Sequence, residues 1–247
     1  MKKSPAISTL IRSLALLAVL PAANATAATI TFSDGTFASS DWLLSHDEQG
    51  ASGATLTPGY PSGNPAPSIR YSGTLGGDAG DYAIMGGAYI ASSYDAGVQG
   101  AIISIDVALD TRNVSPSPVS PDPFGYLYFV LHQDINGDGN FEAFSLSPSS
   151  PDGISGSWTT SSHTGLTASA FFDELGQHPD FSSSGGEIFF GFAGGAPTLG
   201  NDFGGPVAFD YRFDNWTATV RAVPEPSTAF LLATGLVGLA VARRRRS

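Results

Sequence analysis

The segment AIISIDVALD, residues 101–110, decides the fold class. Ile103, Ile105, Val107 and Leu109 fall on one side of an extended chain, and Ser104, Asp106, Ala108 and Asp110 on the other. Alternation of this kind is the period of a strand with one buried and one wet face. Working outward, Trp216–Val223 repeats it, with Trp216, Ala218, Val220 and Ala222 set against Thr217, Thr219, Arg221 and Val223. Tyr126–Leu131 (YLYFVL) and Ile188–Phe192 (IFFGF) are denser and read as central core strands. Shorter candidates are Thr29–Phe32, Trp42–Ser45, Ala54–Thr57, Ser68–Ser72, Tyr82–Ile90, Phe141–Leu146, Ser157–Thr160 and Phe209–Phe213. Thirty glycines and 17 prolines punctuate these runs. The pattern predicts an all-β domain, a two-sheet antiparallel jelly-roll sandwich. Thr167–Leu175 (TASAFFDEL) reads as one short helix with Gly176 just past its end. Ser115–Pro123 reads as a proline-rich loop inside the domain.

The two ends of the chain follow other rules. Lys2, Lys3 and Arg12, the apolar stretch Leu14–Leu20 and the Ala23-Asn24-Ala25 cleavage pattern read as a secretory signal peptide, residues 1–25, removed by signal peptidase. At the other end Pro224, Glu225 and Pro226 lead into an apolar run of 14 residues, Ala229–Ala242, and then four arginines, Arg243–Arg246. The run is short beside the roughly 17–25 residues of a spanning helix, and snorkelling arginine stems extend it. The basic end stays on the cytoplasmic side. The three parts in this order resemble the PEP-CTERM sorting signal of exported bacterial proteins. The resemblance implies a short transmembrane sorting helix, recognition by an exosortase (a membrane-embedded cysteine peptidase) and cleavage near Pro224–Pro226. It further implies residence at the cell envelope, the surface or an extracellular matrix after transient anchoring in the inner membrane. The expected organisation is 1–25 signal peptide, 26–222 β-sandwich and 223–247 sorting signal.

Processing at both ends would concentrate negative charge. Of 11 basic residues only Arg70, Arg112, Arg212 and Arg221 lie between the two signals, and 21 of the 22 acidic residues do, so the body carries 4 − 21 = −17. Nucleic acid is disfavoured as a partner, because phosphate neutralisation needs clustered Lys/Arg. Membrane contact is expected only through the C-terminal segment. The chain has no cysteine, which removes disulfides and thiol chemistry from consideration.

One loop stands out chemically. Asp134, Asn136, Asp138, Asn140 and Glu142 place oxygen donors at alternate positions around Gly137 and Gly139. Ca²⁺ takes six to eight hard oxygens, and a tight loop can converge them. The first six positions match the EF-hand pattern, but Ser145 occupies the twelfth. The loop instead resembles strand-flanked DxDxDG loops, with Glu142 as the acid at the ninth position. A structural Ca²⁺ is the expectation, against a bare turn at Asn136-Gly137 and Asp138-Gly139.

The remaining candidates are weaker. His46-Asp47-Glu48 reads as a solvated loop after the strand at Trp42, and His132 as a strand-end histidine beside the calcium loop. His163 and His178 read as loop residues. Trp216 falls on an inward face, which leaves Trp158 as the exposed candidate for stacking on a sugar. Tyr60, Tyr89 and Tyr94 follow it. Ile30–Trp42 and Phe213–Val220 look like the first and last strands of concanavalin- or galactose-binding-like jelly rolls, a likeness that implies sugar binding and structural calcium. No H-E-x-x-H, G-x-S-x-G or P-loop pattern is present, and the expectation is a non-enzymatic protein. Two functions fit: a structural or matrix-interaction protein associated with exopolysaccharide or biofilm, or a carbohydrate-binding module. A glycoside hydrolase or lyase is the third.

Overall fold

The computed structural model describes residues 27–65, 67–114, 125–146, 152–197 and 205–223. The segments read as a signal peptide (1–25) and a proline-rich loop (115–123), and the chain from Pro224 onward, lie outside the described residues.

Two antiparallel sheets pack face to face. The six-stranded sheet holds β1 (Ala28–Asp34), β3 (Ala51–Tyr60), β4 (Ser68–Leu75), β7 (Ile102–Asn113), β11 (Thr159–Leu166) and β14 (Val207–Ala222). Its order is β11-β7-β14-β4-β3, and β1 pairs with the second half of β14. The eight-stranded sheet holds β2 (Trp42–Gln49), β5 (Tyr82–Tyr89), β6 (Tyr94–Asp95), β8 (Gly125–Gln133), β9 (Glu142–Leu146), β10 (Asp152–Ile154), β12 (Phe171–Phe172) and β13 (Glu187–Pro197). Its order is β12-β9-β8-β13-β5-β2, with β10 on β8 and β6 on β13. The sandwich expected from alternation is the fold observed.

Alternation also explains where it breaks. Ile105, Val107 and Leu109 are buried as expected, but Ile103 is exposed and Ile102 is buried in its place. A register shift where Arg221 and Ala222 meet β7 turns the strand over at that point. β14 fuses two stretches that read separately in the sequence. Phe213 and Trp216 are three residues apart yet both point into the core. The β-bulge between Asp214 and Thr217, with Asn215 at φ 51°, inserts the extra residue that makes this possible.

The segment Thr167–Leu175 is not a helix. A single 3₁₀ turn spans Ala168–Ala170, followed by β12. Phe171 is fully buried, and Asp173 accepts hydrogen bonds from the amides of Leu175 (2.9 Å) and Gln177 (2.7 Å). Burial of one aromatic and a side-chain-capped turn outweigh helix propensity, which is a weak prior. His46, Asp47 and Glu48 lie within β2 and not in a loop, because β2 runs on to Gln49 in register with β5. His163 likewise lies in β11, whereas His178 sits in a loop with Nδ1 2.6 Å from the Phe171 carbonyl.

The centre of the sandwich is aromatic. Trp42 of one sheet and Trp216 of the other meet with ring centroids 5.1 Å apart at 82°. Phe37, Tyr89 and Phe192 surround them. Asp34, at the end of β1, holds this cluster from below. Its carboxylate accepts from the Trp42 indole N–H (2.7 Å), the Thr36 amide (2.6 Å) and hydroxyl (2.7 Å), and the Phe37 amide (3.0 Å). Burial pushes the Asp34 carboxyl up, but these donors together hold it below its usual value.

Candidate functional site

The same alternation that fills the core decides what the eight-stranded sheet shows to solvent. On β8, Leu127, Phe129 and Leu131 are buried, so Tyr126, Tyr128, Val130 and His132 form the outward row. On β13, Ile188 and Phe190 are buried, while Phe189 and Ala193 line the outer surface. Strand register then sets these residues in transverse rows. Leu43, Ala88, Gly191, Val130, Ser145 and Phe172 form one row across all six main strands. Ser45, Gly86, Ala193 and Tyr128 form the next, and Phe189, His132 and Ala143 the one on the other side.

In the first row Leu43 and Phe172 stand at the ends and Ala88 and Gly191 lie between them, and Gly86 and Ala193 continue that low strip in the next. The result is a groove of about 890 Å³ across the outer face. Leu43 (66% exposed) and Ile90 (44% exposed) wall one side. Phe141, Phe172 and Phe189 wall the other, with the Phe141 and Phe189 rings 5.3 Å apart and edge to face. Gly191 must be glycine, because a Cβ there would sit 2.0 Å from the Gly87 carbonyl oxygen. Gly86 need not be, since its Cβ would meet only Ser45 Oγ at 3.9 Å.

Polar groups are few and lie at defined points: Ser45, Ser145 and His132 on the floor, Asp173 and Glu174 on the rim. Burial holds the His132 imidazole below its ordinary value, so it is neutral at neutral pH. Tyr126 and Tyr128 stack with centroids 6.4 Å apart and prolong the outward row of β8. A largely apolar surface with a few polar groups suits a ligand that has both a C–H face and hydroxyl edges. Sequence reading missed this surface. The signal was present in YLYFVLHQ, where Tyr126, Tyr128, Val130 and His132 alternate with Leu127, Phe129, Leu131 and Gln133.

Trp158 is half-buried just before β11 of the six-stranded sheet and does not line the groove. Trp216 is buried as expected; Tyr94, a candidate for stacking on a sugar, is instead fully buried, its hydroxyl donating to the Gly100 carbonyl at 2.6 Å.

The loop from Asp134 to Glu142 joins β8 to β9 and is closed upon itself. Asp134 Oδ1 accepts from the Gly137 (2.7 Å) and Asp138 (3.2 Å) amides, and Oδ2 from the Gly139 amide (2.8 Å). Glu142 accepts from the Ile135 amide (3.1 Å) and Asn136 Nδ2 (2.6 Å), and Asp138 from the Asn140 amide (2.8 Å). The Gly139 amide, followed by those of Gly137, Asp138 and Asn136, holds the Asp134 carboxyl below its usual value. Among the described residues no three His, Asp or Glu side chains converge as a ready metal cage. The loop does supply hard oxygens of the kind Ca²⁺ prefers. Phe141, the groove wall, belongs to this loop.

No curated protein matches the sequence. Among solved structures the chain is similar to a family 11 carbohydrate-binding module from Clostridium thermocellum in complex with a β-1,3-1,4-mixed-linked tetrasaccharide. That pair is 14% identical over 82% of this chain and 99% of the other, with a TM-score of 0.45. It is also similar to peanut lectin, 11% identical over 78% and 98% of the two chains, with a TM-score of 0.38. A Clostridium thermocellum xylanase 10B fragment holding a family 22 module and a catalytic module is 11% identical, with a TM-score of 0.39. The match covers 76% of this chain and 28% of that one. Residues 222–246 match the PEP-CTERM protein-sorting motif, as the Pro-Glu-Pro triplet, apolar run and arginine end implied. The chain therefore carries a PEP-CTERM sorting tail, the mark of an exported protein anchored at the membrane before exosortase processing.

Proposed function

We propose that the body of this exported protein is a non-catalytic saccharide-binding module and that the groove on the eight-stranded sheet holds an extended, neutral glycan. Its role is that of a matrix-interaction protein associated with exopolysaccharide, delivered through a signal peptide at 1–25 and exosortase cleavage near Pro224–Pro226. The observation that carries this reading is the groove itself. Glycine and alanine lower its floor, phenylalanines offer faces for sugar C–H surface, and Ser45, Ser145 and His132 offer hydrogen bonds from the floor. Binding of the purified protein to an array of bacterial exopolysaccharide oligosaccharides tests it. Neutral glycans should be retained, and Phe189→Ala should abolish retention without changing the fold. Silence across the array would reject the reading.

Calcium belongs to the same proposal. Asp134, Asn136, Asp138 and Glu142 would supply side-chain oxygens and Asn140 its carbonyl, in a structural role. What supports this is the donor spacing together with the position of Phe141, whose wall of the groove a bound ion would stiffen.

A further inference from the structure

Residues 26–223 contain four arginines, and three of them share one transverse row. Arg112 of β7 is the register partner of Arg212 of β14, and Arg212 is the partner of Arg70 of β4. All three point away from the core, since their strand neighbours Ile69, Tyr71, Tyr211, Phe213 and Thr111 are fully buried. Like charges directly across a sheet are unfavourable. In a body that is −17 by sequence, composition does not impose such a row.

One carboxylate, Asp210, partly neutralises it. Asp210 accepts from Arg70 Nε (3.0 Å) and Nη2 (2.9 Å) and from Arg212 Nε (2.8 Å) and Nη2 (3.2 Å). Arg212 also donates to the Ser62 carbonyl at 3.3 Å and lies under the Tyr60 ring, 4.4 Å from its centroid. Arg112 donates through Nε to the Gly156 carbonyl at 3.1 Å. A guanidinium has five N–H donors. Arg70 and Arg112 thus keep Nη donors that no described residue accepts. The next row, Asp110 and Asp214, is bonded to Asn64, Asn215 and Thr160.

We propose that this row is a second ligand site, on the sheet opposite the groove, which takes a carboxylate-bearing polysaccharide. The planar guanidinium fork matches a carboxylate. Arg70 and Arg112 stand two strands apart, roughly 9–10 Å across the sheet, so a polymer with repeated carboxylates can engage both. Beside Arg70 opens a polar pocket of about 570 Å³ bearing the hydroxyls of Ser52, Ser72 and Thr74, which suits a polyhydroxylated anion. Trp158, one residue before the Thr159–Thr111 pair, stands at the Arg112 end of the row, and Tyr60 at the other. Repulsion between the acidic body and the polymer beyond about 8–10 Å is screened at physiological salt.

The test is calorimetric titration of the purified protein with oligogalacturonate, its methyl ester and a single-stranded DNA oligomer. Oligogalacturonate should bind, the ester should not, and raising salt from about 50 to about 500 mM should weaken the binding. Arg112→Gln leaves the Asp210 cluster untouched and should lower affinity about tenfold, the scale of one lost charge-assisted contact. Arg70→Gln should do the same, with its melting curve checked because Asp210 loses a partner. Gly86→Leu, which fills the groove, should leave uronate binding unchanged. No uronate binding, equal binding of ester or DNA, indifference to Arg112→Gln, or loss with Gly86→Leu would each overturn the assignment.

Discussion

Trp42 and Trp216 come from opposite sheets and meet edge to face at 5.1 Å, at the centre of the aromatic contacts that join the two layers. Trp42 is anchored by its indole N–H on Asp34, whereas Trp216 Nε1 has no hydrogen-bond partner among the described residues. The Trp216 ring is therefore held by packing alone. Trp216→Ala should cost about 3–5 kcal/mol, as large aromatic truncations in cores do. Trp158→Ala, at a half-buried position beside β11, should cost well under half of that. Chemical denaturation of the two variants compares them directly, and equal losses would show that the aromatic centre is not the keystone.

Asp34 and Asp210 are both held below their ordinary carboxyl values despite burial, Asp34 by amides and an indole and Asp210 by Arg212 and Arg70. A lowered native value means stability that is present above the unfolded value near 3.8 and lost as pH falls through the native one. Asp34→Asn should therefore flatten the acid limb of a plot of melting temperature against pH. An acid limb identical to that of the unaltered protein would contradict the role given to this carboxylate.

Asp214 has the opposite sign. It is fully buried; burial raises its value most, the Asn64 and Asn215 amides lower it, and the charges of Asp110 and Asp34 raise it further. The folded state then holds the proton more tightly than the unfolded chain. The contribution is present below about 3.8 and lost as pH rises through the raised native value. Relative to Asp214→Asn, the unaltered protein should lose stability across that rise. A gap between the two that stays constant with pH would refute the shift.

Calcium should raise the melting temperature and a chelator should lower it, because an ion bound only by the native state adds stability. Asp134→Ala should remove the difference. The groove should also bind more tightly with Ca²⁺ present, since Phe141 is carried by the loop. A midpoint indifferent to both additions would remove the ion from the account.

The sandwich was legible because alternation is a local signal, and Ile105, Val107, Leu109 and Trp216 obey it. The turnover at Ile103 and the bulge at Asn215 were not, because each depends on a partner strand far away in sequence. The groove was half legible. Tyr126, Tyr128 and His132 could be read as an outward row, but YLYFVL is dense enough to pass for a wholly buried strand. That Gly86, Ala193 and Ala88 would line up beside them follows from register, which no single segment contains. The same holds for the arginines, scattered over 143 positions from Arg70 to Arg212 and brought into one row by pairing.

The most direct measurement is glycan-array binding of the Gly86→Leu variant beside the unaltered protein. A side chain at Gly86 enters open space, so the variant should melt as the original does while its groove is filled. The account predicts that retention of neutral glycans disappears. Retention at full strength by the filled variant would contradict the groove as the place where this protein meets its ligand.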